Sequence, residues 1–107
     1  MKPIRLDFAI LFCVPAVDAV MAQKSPAEQR GMVFARTTCA QCHSIDRVGA
    51  SPLSVAPPFR DLHKLYPVET LEEALAEGIR TGHPSMPEFR LEPDQIGDLI
   101  AFLKSLE

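Results

Sequence analysis

The sequence predicts an all-α domain, on three observations. No run of residues alternates apolar and polar with a period of two. Three segments open with helix-start chemistry and carry apolar residues at helical spacing. The stretch between the first and second of these is too rich in proline for a strand or a long helix.

The first helix is expected from Ser25-Pro26-Ala27-Glu28, with Ser at the N-cap, Pro at the first helical position and Glu three residues after the cap. It should run through Gly31, Met32, Val33, Phe34 and Ala35 and bring the chain to the next cysteines, with Met32 in the core. A loop from Val48 to Tyr66 follows, containing Gly49, Pro52, Pro57 and Pro58, with room for one helical turn in Phe59 to Leu65. Thr70-Leu71-Glu72-Glu73 reads as a capping box that opens a helix ending near Thr81-Gly82, with Leu71, Ala74, Leu75 and Ile79 on one face. Glu92-Pro93-Asp94 starts the last helix, which carries the stripe Ile96, Leu99, Ile100, Leu103 and Leu106, widened by Phe102.

The chain has 107 residues and a net charge of −3. Its N-terminus has the order of a secretory signal peptide: Lys2 and Arg5, an apolar run from Phe8 to Val17, and small residues up to Ala22. Residues 1–22 are therefore expected to be a cleaved leader and residues 23–107 a single domain destined for the periplasm. Pro15 and Asp18 interrupt the apolar run, which argues against a membrane span, although an uncleaved segment would act as a tether. Removing two charges of each sign leaves the balance at −3, and no cluster of Lys and Arg occurs, so nucleic acid is excluded as a partner.

Loss of the leader also removes Cys13 and leaves Cys39 and Cys42, in the stretch Thr38-Cys39-Ala40-Gln41-Cys42-His43. Three chemistries use two cysteines at this spacing. A redox dithiol expects a βαβ context, which is missing here. A zinc site would need His63 and His83 beside the cysteines, and those histidines stand 20 residues apart, against about 3–5 in a zinc-finger helix. A covalent haem accounts for the position of His43: the two thiols add to the porphyrin vinyl groups, and the next residue reaches the iron. It also caps both thiols in an oxidising compartment.

For the sixth iron position the candidates are Met86, held between Pro84 and Pro87, and the histidines His83 and His63. Met86 is favoured because its loop is pinned by two prolines and lies off any helical stripe. Leu62, Leu65, Tyr66, Leu75, Ile79, Leu99 and Leu103 are the expected apolar lining.

Gly31-x-x-Phe34, Cys39-x-x-Cys42-His43, Ala56-Pro57-Pro58-Phe59, the loop from Gly82 to Phe89 and Ala101-Phe102-Leu103 together resemble the small bacterial class I cytochromes c, over about Pro26 to Leu106. The resemblance implies a fold of three to four helices around one haem c, with the first and last helices crossing near Gly31 and Phe102. It implies His43 and Met86 as iron ligands, and Pro57 as the residue whose carbonyl accepts a hydrogen bond from His43; the adjacent Pro58 offers a second carbonyl. The implied activity is one-electron transfer by a monomeric periplasmic carrier that docks to a redox-protein donor and acceptor, not enzymatic turnover. Two alternatives are a haem subunit of a periplasmic dehydrogenase acting on sulfur compounds or alcohols, and a haem sensor or peroxidase with an open sixth position.

Overall fold

A computed structural model describes residues 3, 24–78 and 86–107. The expected leader, Ile79 and His83 lie outside the described residues. What is described is all-helical: α1 (Pro26–Thr38), a 3-10 turn (Phe59–Asp61) running into the single-turn α2 (Leu62–Leu65), a second 3-10 turn (Val68–Thr70) leading into α3 (Leu71–Glu77), and α4 (Pro93–Ser105). No helix among the described residues is long and apolar enough to cross a membrane.

Helix α1 starts as its sequence requires. The Ser25 hydroxyl accepts from the Glu28 backbone N–H at 3.2 Å, and Pro26 fills the first turn, where an N–H would have no helical partner. At the other long helix the Gln95 side chain reaches back to accept from the Glu92 N–H at 3.0 Å. The two helices cross in the most extensive contact between elements. Gly31 makes the crossing possible, since a Cβ there would stand 2.8 Å from the Cβ of Phe102 and 2.7 Å from the Asp98 carbonyl carbon. Beside it, the Arg30 guanidinium grips Asp98 with two bonds of 2.9 and 3.0 Å. Lys24 lies over the Phe102 ring at 5.5 Å and donates to the Met32 sulfur at 3.0 Å.

Three details differ from the sequence expectation. Thr70 does not cap α3 with its side chain; its hydroxyl donates to the Pro67 carbonyl at 2.7 Å. Pro67 starts a 3-10 turn, and that turn consumes the hydroxyl the capping box would have used. Helix α3 ends at Glu77, short of Thr81-Gly82, because Gly78 adopts φ +108°, outside helical geometry. Leu65 is 65% exposed and belongs to no core, since α2 is one turn long and gives way to extended backbone at Tyr66.

The core runs along α4. Phe102 and Leu103 are almost wholly buried, joined by Ile96, Leu99 and Ile100 from the same helix and Leu106 at its C-cap, Ala35 from α1, Ile45, Phe59, Leu62, Val68, and Leu75 from α3. Met32 packs against this cluster, half-buried.

Candidate functional site

At the C-terminus of α1 the chain keeps turning. The N–H groups of Cys39 and Ala40 both donate to the Ala35 carbonyl, at 2.8 and 2.9 Å, and those of Cys42 and His43 both donate to the Cys39 carbonyl, at 3.2 and 3.0 Å. This curl carries Cys39, Cys42 and His43 to the wall of a cleft of about 260 Å³. Pro57 and Met86 line the same cleft, so the five residues singled out in the sequence surround one space. The remaining wall is overwhelmingly apolar: Phe34 from α1, Leu53, Phe59, Leu62, Leu71 and Leu75, Phe89 and Leu91 beyond Met86, and Leu99 and Leu103 from α4.

His43 is oriented by a hydrogen bond of 2.7 Å between its Nδ1 and the carbonyl oxygen of Pro57. A carbonyl can only accept, so Nδ1 is the donor in this bond. Of the two neighbouring proline carbonyls it is that of Pro57 that takes this role. The Phe59 ring packs on the imidazole, with centroids 5.0 Å apart and planes tilted by 44°. The ring is thus held from two directions.

The cysteines are not bonded to each other and both are half-buried. Burial pushes the Cys39 thiol up to about 11, away from the lowered values that make a redox cysteine a nucleophile. The zinc alternative is not assembled either: His63 lines a separate polar depression with Arg47, Arg60, Asp61 and Lys64. Among the described residues no three His, Cys, Asp or Glu side chains are grouped to hold a metal ion.

A family model for cytochrome c matches residues 28–107. The chain belongs to the cytochrome c family. A cytochrome c-553-like protein of Synechocystis sp. is 28% identical over 102 residues, covering 92% of this chain and 87% of that protein. No solved structure matches the chain. Membership establishes covalent haem c as the cofactor and haem-based electron transfer as the activity, and makes the chain an electron carrier with redox partners, not an enzyme.

The cleft of this cytochrome c fits such a group. Its volume is many times the roughly 10–15 Å³ that one water requires by the same kind of measure, and its apolar walls give water few partners. Two thiols, an imidazole and a thioether sulfur form the donor set, suited to holding a porphyrin covalently and its iron axially.

Of the expected lining residues, Leu62, Tyr66, Leu75, Leu99 and Leu103 face the cleft, whereas Leu65 does not. Phe34, Leu53, Phe89 and Leu91 also line it and were not among the expected residues. Phe34 and Phe89 stood within the motifs that carry the family resemblance. Leu53 and Leu91 had no periodic signal, being brought in by backbone bonds: Leu53 N–H to the Cys42 carbonyl at 3.1 Å and Leu91 N–H to the Leu75 carbonyl at 2.9 Å.

Proposed function

We propose that the protein is an exported one-electron carrier in which Cys39 and Cys42 hold the haem by two thioethers and His43 and Met86 are the axial iron ligands. The observation that carries this reading is the shared cleft: Met86 lines the same apolar space as both cysteines and as a histidine whose Nδ1 is held by the Pro57 carbonyl. Bound there, haem c supplies reversible one-electron chemistry at its iron.

The chain's own residues set how that chemistry behaves. The Pro57 carbonyl, by accepting from Nδ1, makes the imidazole a stronger donor through Nε2. The Met86 sulfur is a soft ligand, and a His/Met pair raises the potential relative to two histidines. Apolar walls act in the same direction, because the oxidised centre carries more charge than the reduced one. With His43 and Met86 both holding the iron, small ligands would be kept off it, which would favour electron transfer over peroxide chemistry.

Export to the periplasm rests on the charge and hydropathy order of residues 1–22, and it fits a chain whose two remaining thiols become thioethers. The one haem motif in this sequence fits a free monomeric carrier, with a dehydrogenase subunit as the alternative. Purification from native membranes and periplasm separates the two: a carrier elutes alone, a subunit with a larger partner.

Replacing Met86 with Ala tests the ligand assignment. The haem should stay attached, the potential should fall, and carbon monoxide should bind the reduced protein rapidly at neutral pH. An unchanged potential would exclude Met86 as a ligand.

A further inference from the structure

The loop between His43 and Arg60 is held by a side chain that the haem motif does not include. Pro57 and Pro58 have no N–H, so the two residues nearest the His43 hydrogen bond cannot be pinned by backbone donors. Fixation begins at the next two positions. The Phe59 N–H donates to the Ser44 carbonyl at 2.9 Å. Arg60 then spreads its guanidinium over the start of the same loop: one terminal nitrogen donates to the Ser44 hydroxyl at 3.3 Å and to the Asp46 carbonyl at 3.2 Å, and the other donates to the Gly49 carbonyl at 2.6 Å. The segments 43–46 and 57–60 are thus laced residue by residue. Pro57 bonds His43, Phe59 bonds Ser44 and stacks on His43, and Arg60 bonds Ser44 and Asp46.

Arg60 is partly buried, and among the described residues its acceptors are all uncharged oxygens, so its role here is not an ion pair. A fork reaching separate acceptors is what a guanidinium provides and an ammonium does not. We propose that Arg60 is a positioning residue for the iron ligand: by tying the two ends of the 43–60 loop together it holds the Pro57 carbonyl on His43 Nδ1, and so tunes the reduction potential. This rests on the reading of His43 as the axial ligand. The energetic logic follows from the hydrogen bond: a firmly held carbonyl makes the imidazole more basic, which favours the oxidised iron and restrains the potential.

The test uses the full holoprotein with Arg60→Lys, which keeps the charge and removes the fork. Arg47→Lys is the matched control, because Arg47 sits in the same loop and likewise donates to a carbonyl, but to that of Ser105 on α4 at 2.6 Å and not across the loop. Two quantities are read: the midpoint potential, and the solvent exchange rate of the His43 Nδ1 proton by NMR. In Arg60→Lys the potential should rise and the exchange should quicken by about tenfold, the scale of one ordinary hydrogen bond, while Arg47→Lys moves neither. Ser44→Ala, which removes one acceptor and keeps the fork, should shift both quantities in the same direction by less, and serves if Arg60→Lys does not accumulate.

Loss of thermal stability in Arg60→Lys with both quantities unchanged would overturn the proposal, leaving Arg60 a plain loop clamp. Equal shifts in Arg47→Lys would also overturn it. The unaltered oxidised holoprotein separates the two levels of inference, since His43 ring signals must be strongly shifted by the iron if His43 binds it. Signals at ordinary positions would remove the ligand reading, and the Arg60 proposal with it, whatever the variants do.

Discussion

The crossing of α1 and α4 and the loop from His43 to Arg60 are built by opposite means. At the crossing, shape dominates: Gly31 lets the backbones approach until only Phe102 and the Asp98 carbonyl lie between them, and the polar Arg30–Asp98 pair sits at the edge. In the loop the only buried apolar residues are Ile45, Ala56 and Phe59, and hydrogen bonds do most of the holding: Arg60 and the Phe59 N–H donate to the segment after His43, and the Ser44 N–H donates to the Ser51 hydroxyl. The difference assigns the two regions different duties. Packing at the crossing carries the stability of the domain, whereas polar lacing in the loop fixes the direction of one imidazole.

The sharpest way to break this division is at Gly31. Gly31→Val should force α1 and α4 apart and cost about 3 kcal/mol, the upper end of ordinary overpacking, read as a shift in the denaturation midpoint of the holoprotein. The potential of the surviving folded protein should stay close to that of the parent. A potential shift as large as that expected for Arg60→Lys would mean that the two regions are not separable.

Helix entry offers a smaller check on the same side of the comparison. Ser25→Ala removes the acceptor for the Glu28 N–H and should cost about 1 kcal/mol, with no change in the visible spectrum.

The smallest effect belongs to the surface pair between Glu69 and Lys104, 2.6 Å apart, which ties the turn before α3 to α4. The hydrogen bond from Lys104 lowers the Glu69 carboxyl below its ordinary 4.5, and the same bond raises Lys104 above 10.5. Glu69 therefore stabilises the fold fully above pH 4.5, and its contribution is lost as pH falls through the lowered value; that of Lys104 is lost only as pH rises beyond 10.5. Both groups are exposed, so the pair is a minor one. Glu69→Gln should flatten the acid limb of a pH–stability curve slightly and leave the neutral region almost unmoved.

The same contrast explains what could be read from the sequence. Helices α1 and α4 announce themselves because packing imposes a period and a cap imposes a residue type: Ser25, Pro26 and Glu28 at one end, and the stripe from Ile96 to Leu106 at the other. Gly31 and Phe102 were legible as a crossing through the family resemblance. Cys39, Cys42 and His43 stand out in the sequence because covalent haem needs that spacing, and the structure sets all three on one cleft. Polar lacing leaves no such trace. Nothing in the residue order says that Arg60 bends back to Ser44, Asp46 and Gly49, or that the Thr70 hydroxyl turns to Pro67 instead of capping α3. The early end of α3 had the same origin, since a glycine at either 78 or 82 could stop the helix and only the backbone angle at Gly78 decides between them. Short elements such as α2 are the least legible, and there the expectation that Leu65 lines the cleft fails because the side chain is exposed.

The most direct test of the site as a whole is the absorption spectrum of protein matured with its haem-attachment machinery, recorded oxidised and reduced and extended into the deep red, for the parent and for Met86→Ala. Ligation by His43 and Met86 predicts sharp low-spin bands in both redox states, a weak iron–sulfur charge-transfer band in the oxidised parent, and loss of that band in Met86→Ala with the haem still attached. Low-spin bands without the charge-transfer feature in the parent, or its survival in Met86→Ala, would contradict the assignment of Met86.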